Sequence, residues 1–211
     1  MSFLRSSRRT LAILAASVAG VLSACSSNAV SPVGDATTDL DAQMAANLAI
    51  MAEAKQHSAA VYDSLTNVWK ARTDGGRRGM MNTASSSPFV ACAPLPYDGD
   101  AKIVGSGGGV FYFGPHRLYV PAGALSVPTA IAVIVQTDLK TEVTLLPHGT
   151  QFNSSVKLTL AYAQCESSPT HRVAYVDALN NILAWPSSYD HPESQTVDAW
   201  LNHFSQYAIA Y

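Results

Sequence analysis

At 211 residues the chain has room for one domain of ordinary size with appendages, and it can bury an apolar core without a metal or a dense set of cross-links. With 13% charged and 48% hydrophobic residues, its composition excludes an intrinsically disordered chain. The formal net charge of −2 falls to −5 if Arg5, Arg8 and Arg9 are lost with a leader, so the body offers no basic field for nucleic acid or anionic headgroups.

Arg5, Arg8 and Arg9 form a positive start, an apolar run follows from Leu11 to Val21, and Leu22-Ser23-Ala24-Cys25 closes the segment. The run is well short of the ~20 residues that a spanning helix needs, so residues 1–24 read as a cleaved signal peptide. The last four residues resemble the lipobox of bacterial lipoproteins. That resemblance implies a diacylglycerol on the Cys25 thiol, cleavage ahead of it, and a cell-envelope location. Ser26 after the cysteine points to the outer membrane. The paired arginines in Ser7-Arg8-Arg9-Thr10-Leu11 also fit a twin-arginine export route, which leaves the route open. Two or more acyl chains, at roughly 0.8 kcal/mol per buried methylene, hold a protein stably on a membrane.

With Cys25 assigned to lipid, Cys92 and Cys165 remain as an even pair in an oxidising compartment. The default there is a disulfide; two buried free thiols are the alternative.

Residues 25–37 are rich in Ser, Ala, Asn, Pro and Gly and are expected to be a flexible tether. Thr38-Asp39 then offers a cap. Leu40, Met44, Leu48, Met51, Val61, Leu65, Val68 and Trp69 recur at three- and four-residue spacings, which predicts a helix over 38–72, either continuous or broken near His57-Ser58. Its stripe could pack on the following domain, stand as a stalk, or dock an accessory subunit into an envelope assembly. Asp74-Gly75-Gly76 stops the helix, and 73–100 reads as a linker in which Arg77-Arg78 is solvated charge.

From Ala101 onward, ten short segments are rich in β-branched and aromatic residues and are separated by Gly, Pro, Asn or Asp: 103–104, 110–113, 117–120, 129–137, 142–146, 156–163, 172–176, 182–185, 196–201 and 205–211. Alternation is cleanest at Val156, Leu158, Leu160 and Tyr162, and at Tyr207, Ile209 and Tyr211. With no helical pattern between them, they predict a mainly β fold: an antiparallel β-sandwich over 101–211, preceded by one long helix. No internal repeat is evident.

Three groups of residues in this region carry a resemblance. They are Leu118-Tyr119-Val120-Pro121-Ala122-Gly123-Ala124-Leu125; Leu146-Pro147-His148-Gly149 with Phe152 and Val156-Lys157-Leu158; and His203-Phe204-Ser205-Gln206-Tyr207. They are similar to the ZU-five domain of zonula occludens proteins, netrin receptors and ankyrins. The resemblance implies a β-sandwich used as a non-enzymatic interaction module, here for another envelope protein or a surface polymer. Pro121 stops a ladder, Gly123 permits a turn, and Leu125 can drop into the core, which makes a corner between sheets.

In some relatives of that family the chain cuts itself between the Phe and Ser of a His-Phe-Ser triplet. The same chemistry at His203-Phe204-Ser205 would have Ser205 Oγ attack the Phe204 carbonyl while His203 accepts its proton. The expected role is structural, with His203 and Ser205 hydrogen-bonding at the start of the last strand and Phe204 buried, and self-cleavage is the alternative.

Other chemistry is weaker. Gly105-Ser106-Gly107-Gly108-Gly109 lacks the Lys-Ser/Thr of a phosphate loop and precedes a strand, so it reads as a turn. Asp190-His191-Pro192-Glu193 holds three metal-capable side chains, but Pro192 limits their convergence, so no metal and no cofactor is expected. His116, His148 and His171 lie in separate loops or strand ends with no local signature of a triad.

Overall fold

The computed structural model of the protein describes residues 36–75 and 87–211. The signal peptide, Cys25 and most of the tether, together with Arg77-Arg78, lie outside the described residues.

One helix, α1 (Ala36–Gly75), precedes eleven strands: β1 (Asp98–Val104), β2 (Gly109–Phe113), β3 (His116–Val120), β4 (Thr129–Val135), β5 (Glu142–Leu146), β6 (Gln151–Ala161), β7 (Arg172–Val176), β8 (Ile182–Ala184), β9 (Ser187–His191), β10 (Thr196–His203) and β11 (Gln206–Ala210). They form two antiparallel sheets, one ordered β1-β4-β5-β11-β7-β8 and the other β2-β3-β6-β10-β9. The inner faces of the two sheets bury Phe111, Phe113, Leu118, Ile131, Leu145, Leu158, Leu201 and Phe204 between them. Each such side chain contributes about 1.5–3 kcal/mol through area removed from water.

The predicted alternation in 156–163 is present: Val156, Leu158, Leu160 and Tyr162 are buried, while Lys157 and Thr159 are half-buried. In β4 and β5 every residue is buried, because the six-stranded sheet is covered on its outer face as well. There Met51 and Ala54 of α1, with Tyr97, pack on Ala132, Ile134 and Leu146. Phe89 covers Ala174, Val176, Ala208 and Ala210.

Helix α1 runs without interruption through His57-Ser58, the continuous one of the two expected forms, and Ser58 is buried there. It spans about 60 Å at 1.5 Å per residue. Of the predicted stripe, Leu48 and Val68 are exposed. The packed face uses Gln43, Asn47, Met51, Ala54 and Ser58.

The predicted linker over 73–100 gives way to ordered packing at its C-terminal end. Phe89, Val90 and Cys92 are buried, and β1 begins at Asp98. Val90 N–H donates to the Ile209 carbonyl at 3.2 Å, and Tyr211 N–H donates to the Pro88 carbonyl at 3.2 Å. Cys92 and Cys165 form a disulfide that ties this segment to the β6–β7 connection. Around it, Ala93 N–H donates to the Gln164 carbonyl at 2.9 Å and Glu166 N–H donates to the Ala91 carbonyl at 2.8 Å.

Two loops interlock at one end of the sandwich. The Gly105–Gly109 segment is a turn in which Gly108 has φ +72° and sits against the Val120 carbonyl. Gly123 N–H donates to the Ser106 carbonyl at 2.7 Å, so the turn leaving β3 docks on the turn between β1 and β2. Beyond it Ala124 and Leu125 are buried, and the chain crosses from the five-stranded to the six-stranded sheet. The corner expected at Pro121-Ala122-Gly123 is made in this way.

Candidate functional site

The His203-Phe204-Ser205 triplet bridges the two sheets, between β10 and β11. Phe204 is fully buried and meets Phe152 edge-on at 4.7 Å. Its backbone is held on both sides: its N–H donates to the Thr150 carbonyl at 3.0 Å, and its carbonyl accepts the Gly149 N–H at 3.0 Å. His203 Nδ1 lies 3.4 Å from that same carbonyl oxygen and 3.5 Å from the Tyr207 hydroxyl, which donates to the His203 carbonyl at 2.7 Å. The Tyr207 hydroxyl is pushed above its ordinary range by burial, with Tyr175 adding to the effect. The imidazole is thus set on the Phe204 carbonyl and Tyr207. Ser205 is buried, and its carbonyl accepts the Leu145 N–H at 2.9 Å.

Beside His203 the surface opens into a cleft of about 350 Å³. Strand β7 supplies Tyr175, β10 supplies Trp200, Asn202 and His203, and the crossover from β8 to β9 supplies Trp185 and Pro186. Trp185 and Trp200 are each 42% exposed. The Arg172 guanidinium stacks over the Trp185 ring at 4.6 Å, which steadies the indole. Tyr175 meets the His203 ring edge-on at 4.9 Å. At the rim, Ser155 Oγ donates to Asn202 Oδ1 at 2.9 Å, so the amide NH₂ of Asn202 keeps its donors for solvent or ligand.

A second cluster lies at the far end of β9. Asp190 accepts the Tyr162 hydroxyl at 2.6 Å and the His171 N–H at 3.0 Å, and it lies 3.1 Å from His171 Nδ1. The Tyr162 and His171 rings stack at 3.7 Å. Burial and the Asp190 bond push the Tyr162 hydroxyl up. Because Asp190 is engaged inward, it does not converge with His191 and Glu193. His191 Nε2 lies instead 3.3 Å from Asp198. No group of three metal-capable side chains gathers among the described residues. His116 is buried with Nδ1 accepting the Ala161 N–H at 3.1 Å, one residue before the Tyr162 that stacks on His171.

No protein-family model matches the chain, and no curated protein matches it.

Sequence reading places His203, Phe204 and Ser205 together by adjacency, and it misses the cleft next to them. Trp185, Trp200 and Tyr175 stand 10 to 25 positions apart, as their residue numbers show. Only the pairing of β10 with β9 and the crossover between sheets bring them to one opening. The signal that was available is the unusual solvent exposure required of Trp200 in an alternating strand whose Ala199 and Leu201 face inward.

Proposed function

We propose that the chain is a bacterial cell-envelope lipoprotein, anchored at the outer membrane through acylated Cys25, whose sandwich is a ZU-five-like, non-enzymatic binding module for an envelope protein or surface polymer. The anchor rests on the order of charge, apolar run and Leu22-Ser23-Ala24-Cys25. The observation that carries the binding reading is the cleft beside His203, where two half-exposed tryptophans stand over a floor of tyrosines with polar groups at the rim. A concave site lined by aromatics with a few placed donors is the usual form of a ligand site. Metabolic labelling with a fatty acid tests the anchor: label enters the wild type and is lost in Cys25→Ala. Equal labelling of both would sink it.

A second reading is self-cleavage between Phe204 and Ser205. What favours it is the Phe204 carbonyl, which accepts the Gly149 N–H and has His203 Nδ1 near the same oxygen, an arrangement that would polarise the bond under attack. Intact mass of the purified chain before and after denaturation, compared with Ser205→Ala, decides it. A single full-length species throughout ends this reading.

A further inference from the structure

We infer that the cleft between β7, β10 and the β8–β9 crossover binds neutral pyranose units of a polysaccharide. The inference rests on the reading of the sandwich as a binding module and names its ligand class.

The chemistry of the lining selects the ligand. Trp185 and Trp200 each leave close to half of the residue in solvent and stand at one opening, and it is gathered rather than scattered apolar exposure that marks a binding surface. Arg172 fixes the Trp185 ring, and Trp200 is held by a strand paired on both sides, with Lys157 on β6 and Ser187 on β9. The Trp185 face and the Trp200 backbone are therefore set before any ligand arrives, which lowers the ordering cost of binding. Among the described residues no Asp, Glu, Lys or Arg lines the cleft. The nearest cation, Arg172, is already stacked on the Trp185 ring, and a quaternary ammonium would lack a carboxylate in the lining.

Polar groups are nonetheless present. The Asn202 amide donors are spared by the Ser155 bond to its oxygen. His203 Nε2 makes no hydrogen bond to the protein among the described residues, while its Nδ1 is turned to Phe204 and Tyr207. A purely apolar peptide laid over these groups would leave them unpaired. A sugar ring answers both demands. Its axial C–H face packs on an indole, and its equatorial hydroxyls reach outward to Asn202, Ser155 and His203. The cleft, about 350 Å³ and open to the surface, has room for a pyranose ring.

The test uses the full chain purified in detergent, titrated with chito-, cello- and malto-oligosaccharides while indole fluorescence is followed. Choline and a proline-rich peptide serve as competing occupants. We expect saturable binding of at least one oligosaccharide with a change in tryptophan emission. Trp185→Ala and Trp200→Ala should each weaken it by about tenfold or more, as for an aromatic anchor, and Trp200→Phe should retain most of it. Asn202→Ala should weaken it several-fold, and Tyr189→Ala, outside the cleft, should leave it unchanged. The tryptophans are surface residues, and unchanged urea midpoints verify that the variants fold. Failure of all three oligosaccharides, binding indifferent to both tryptophan substitutions, or preferential binding of choline or the peptide in the cleft would overturn the inference. Acylation of Cys25 is read separately. A chain that is acylated but blind to sugars loses this inference alone, and one that binds sugars without acylation loses only the anchor.

Discussion

Asn47 of α1 donates from Nδ2 to the carbonyl of Ala130 at 2.8 Å, and one turn earlier Gln43 Oε1 accepts the Ala130 N–H at 2.7 Å. Ala130 lies in β4 beyond the last residue paired with β5, so two helix side chains take the place of a missing strand. This is how a helix with a sparse apolar stripe is fixed in register on the sheet. The i, i+4 spacing puts both amides on one face.

The buried Asn47 amide is therefore expected to matter more than the larger apolar residue beside it. Asn47→Ala leaves the Ala130 carbonyl without its partner and should destabilise by about 1–3 kcal/mol in urea unfolding. Leu48→Ala, at a half-exposed position, should stay within about 0.5 kcal/mol. Equal effects would contradict the docking geometry.

The Cys92–Cys165 bridge closes a loop with a sequence separation of 73. Chain entropy alone predicts a contribution of about 4 kcal/mol. Replacing both cysteines with alanine should lower the urea midpoint accordingly and loosen the segment around Val90. Hydrogen exchange of the backbone amides at positions 92 and 93, which bond to the Leu139 and Gln164 carbonyls, reads that loosening directly.

His116 gives the fold an acid-sensitive point. Burial lowers its pKa from 6.5 to about 4, and Nε2 has no hydrogen-bond partner among the described residues. The unfolded chain therefore binds the extra proton between these values and the folded chain does not. Stability from this residue is complete above pH 6.5 and falls as pH drops towards 4, by about 3 kcal/mol over the window. His116→Gln should flatten that part of the stability profile. An unchanged slope between pH 6.5 and 4 would show that other groups carry it.

Gly108 and Gly123 have similar positive φ values, 72° and 77°, but different surroundings. A Cβ on Gly108 would come within 2.2 Å of the Val120 carbonyl oxygen, whereas one on Gly123 meets nothing within 4 Å. Gly123→Ala should cost the left-handed penalty alone, about 1–2 kcal/mol. Gly108→Ala must in addition displace the start of the turn after β3, so its loss should be clearly larger in the same thermal or urea assay.

Turn chemistry and side-chain period made most strands legible. Ten of the eleven have a counterpart in the sequence reading, because Gly, Pro and Asn mark their ends and β-branched residues fill them. Strand β9, Ser187–His191, carries no apolar pattern; it is a strand because β10 pairs with it. The start of β6 in Gln151-Phe152-Asn153-Ser154-Ser155 reads as loop for the same reason.

What the sequence determined by itself is whatever depends on neighbours along the chain: the helix, the strand periods, the corner at Pro121-Ala122-Gly123, and the buried Phe204 of the last triplet. Tertiary structure decided what depends on distant partners. It chose Gln43 and Asn47 over Leu48 as the docking face of α1, joined Cys92 to Cys165, turned Asp190 towards Tyr162 and away from His191, and gathered Trp185, Trp200 and His203 at one opening. The physical reason is the same in each case. A backbone period fixes which way a side chain points, but only the crossing of strands between sheets fixes what it meets.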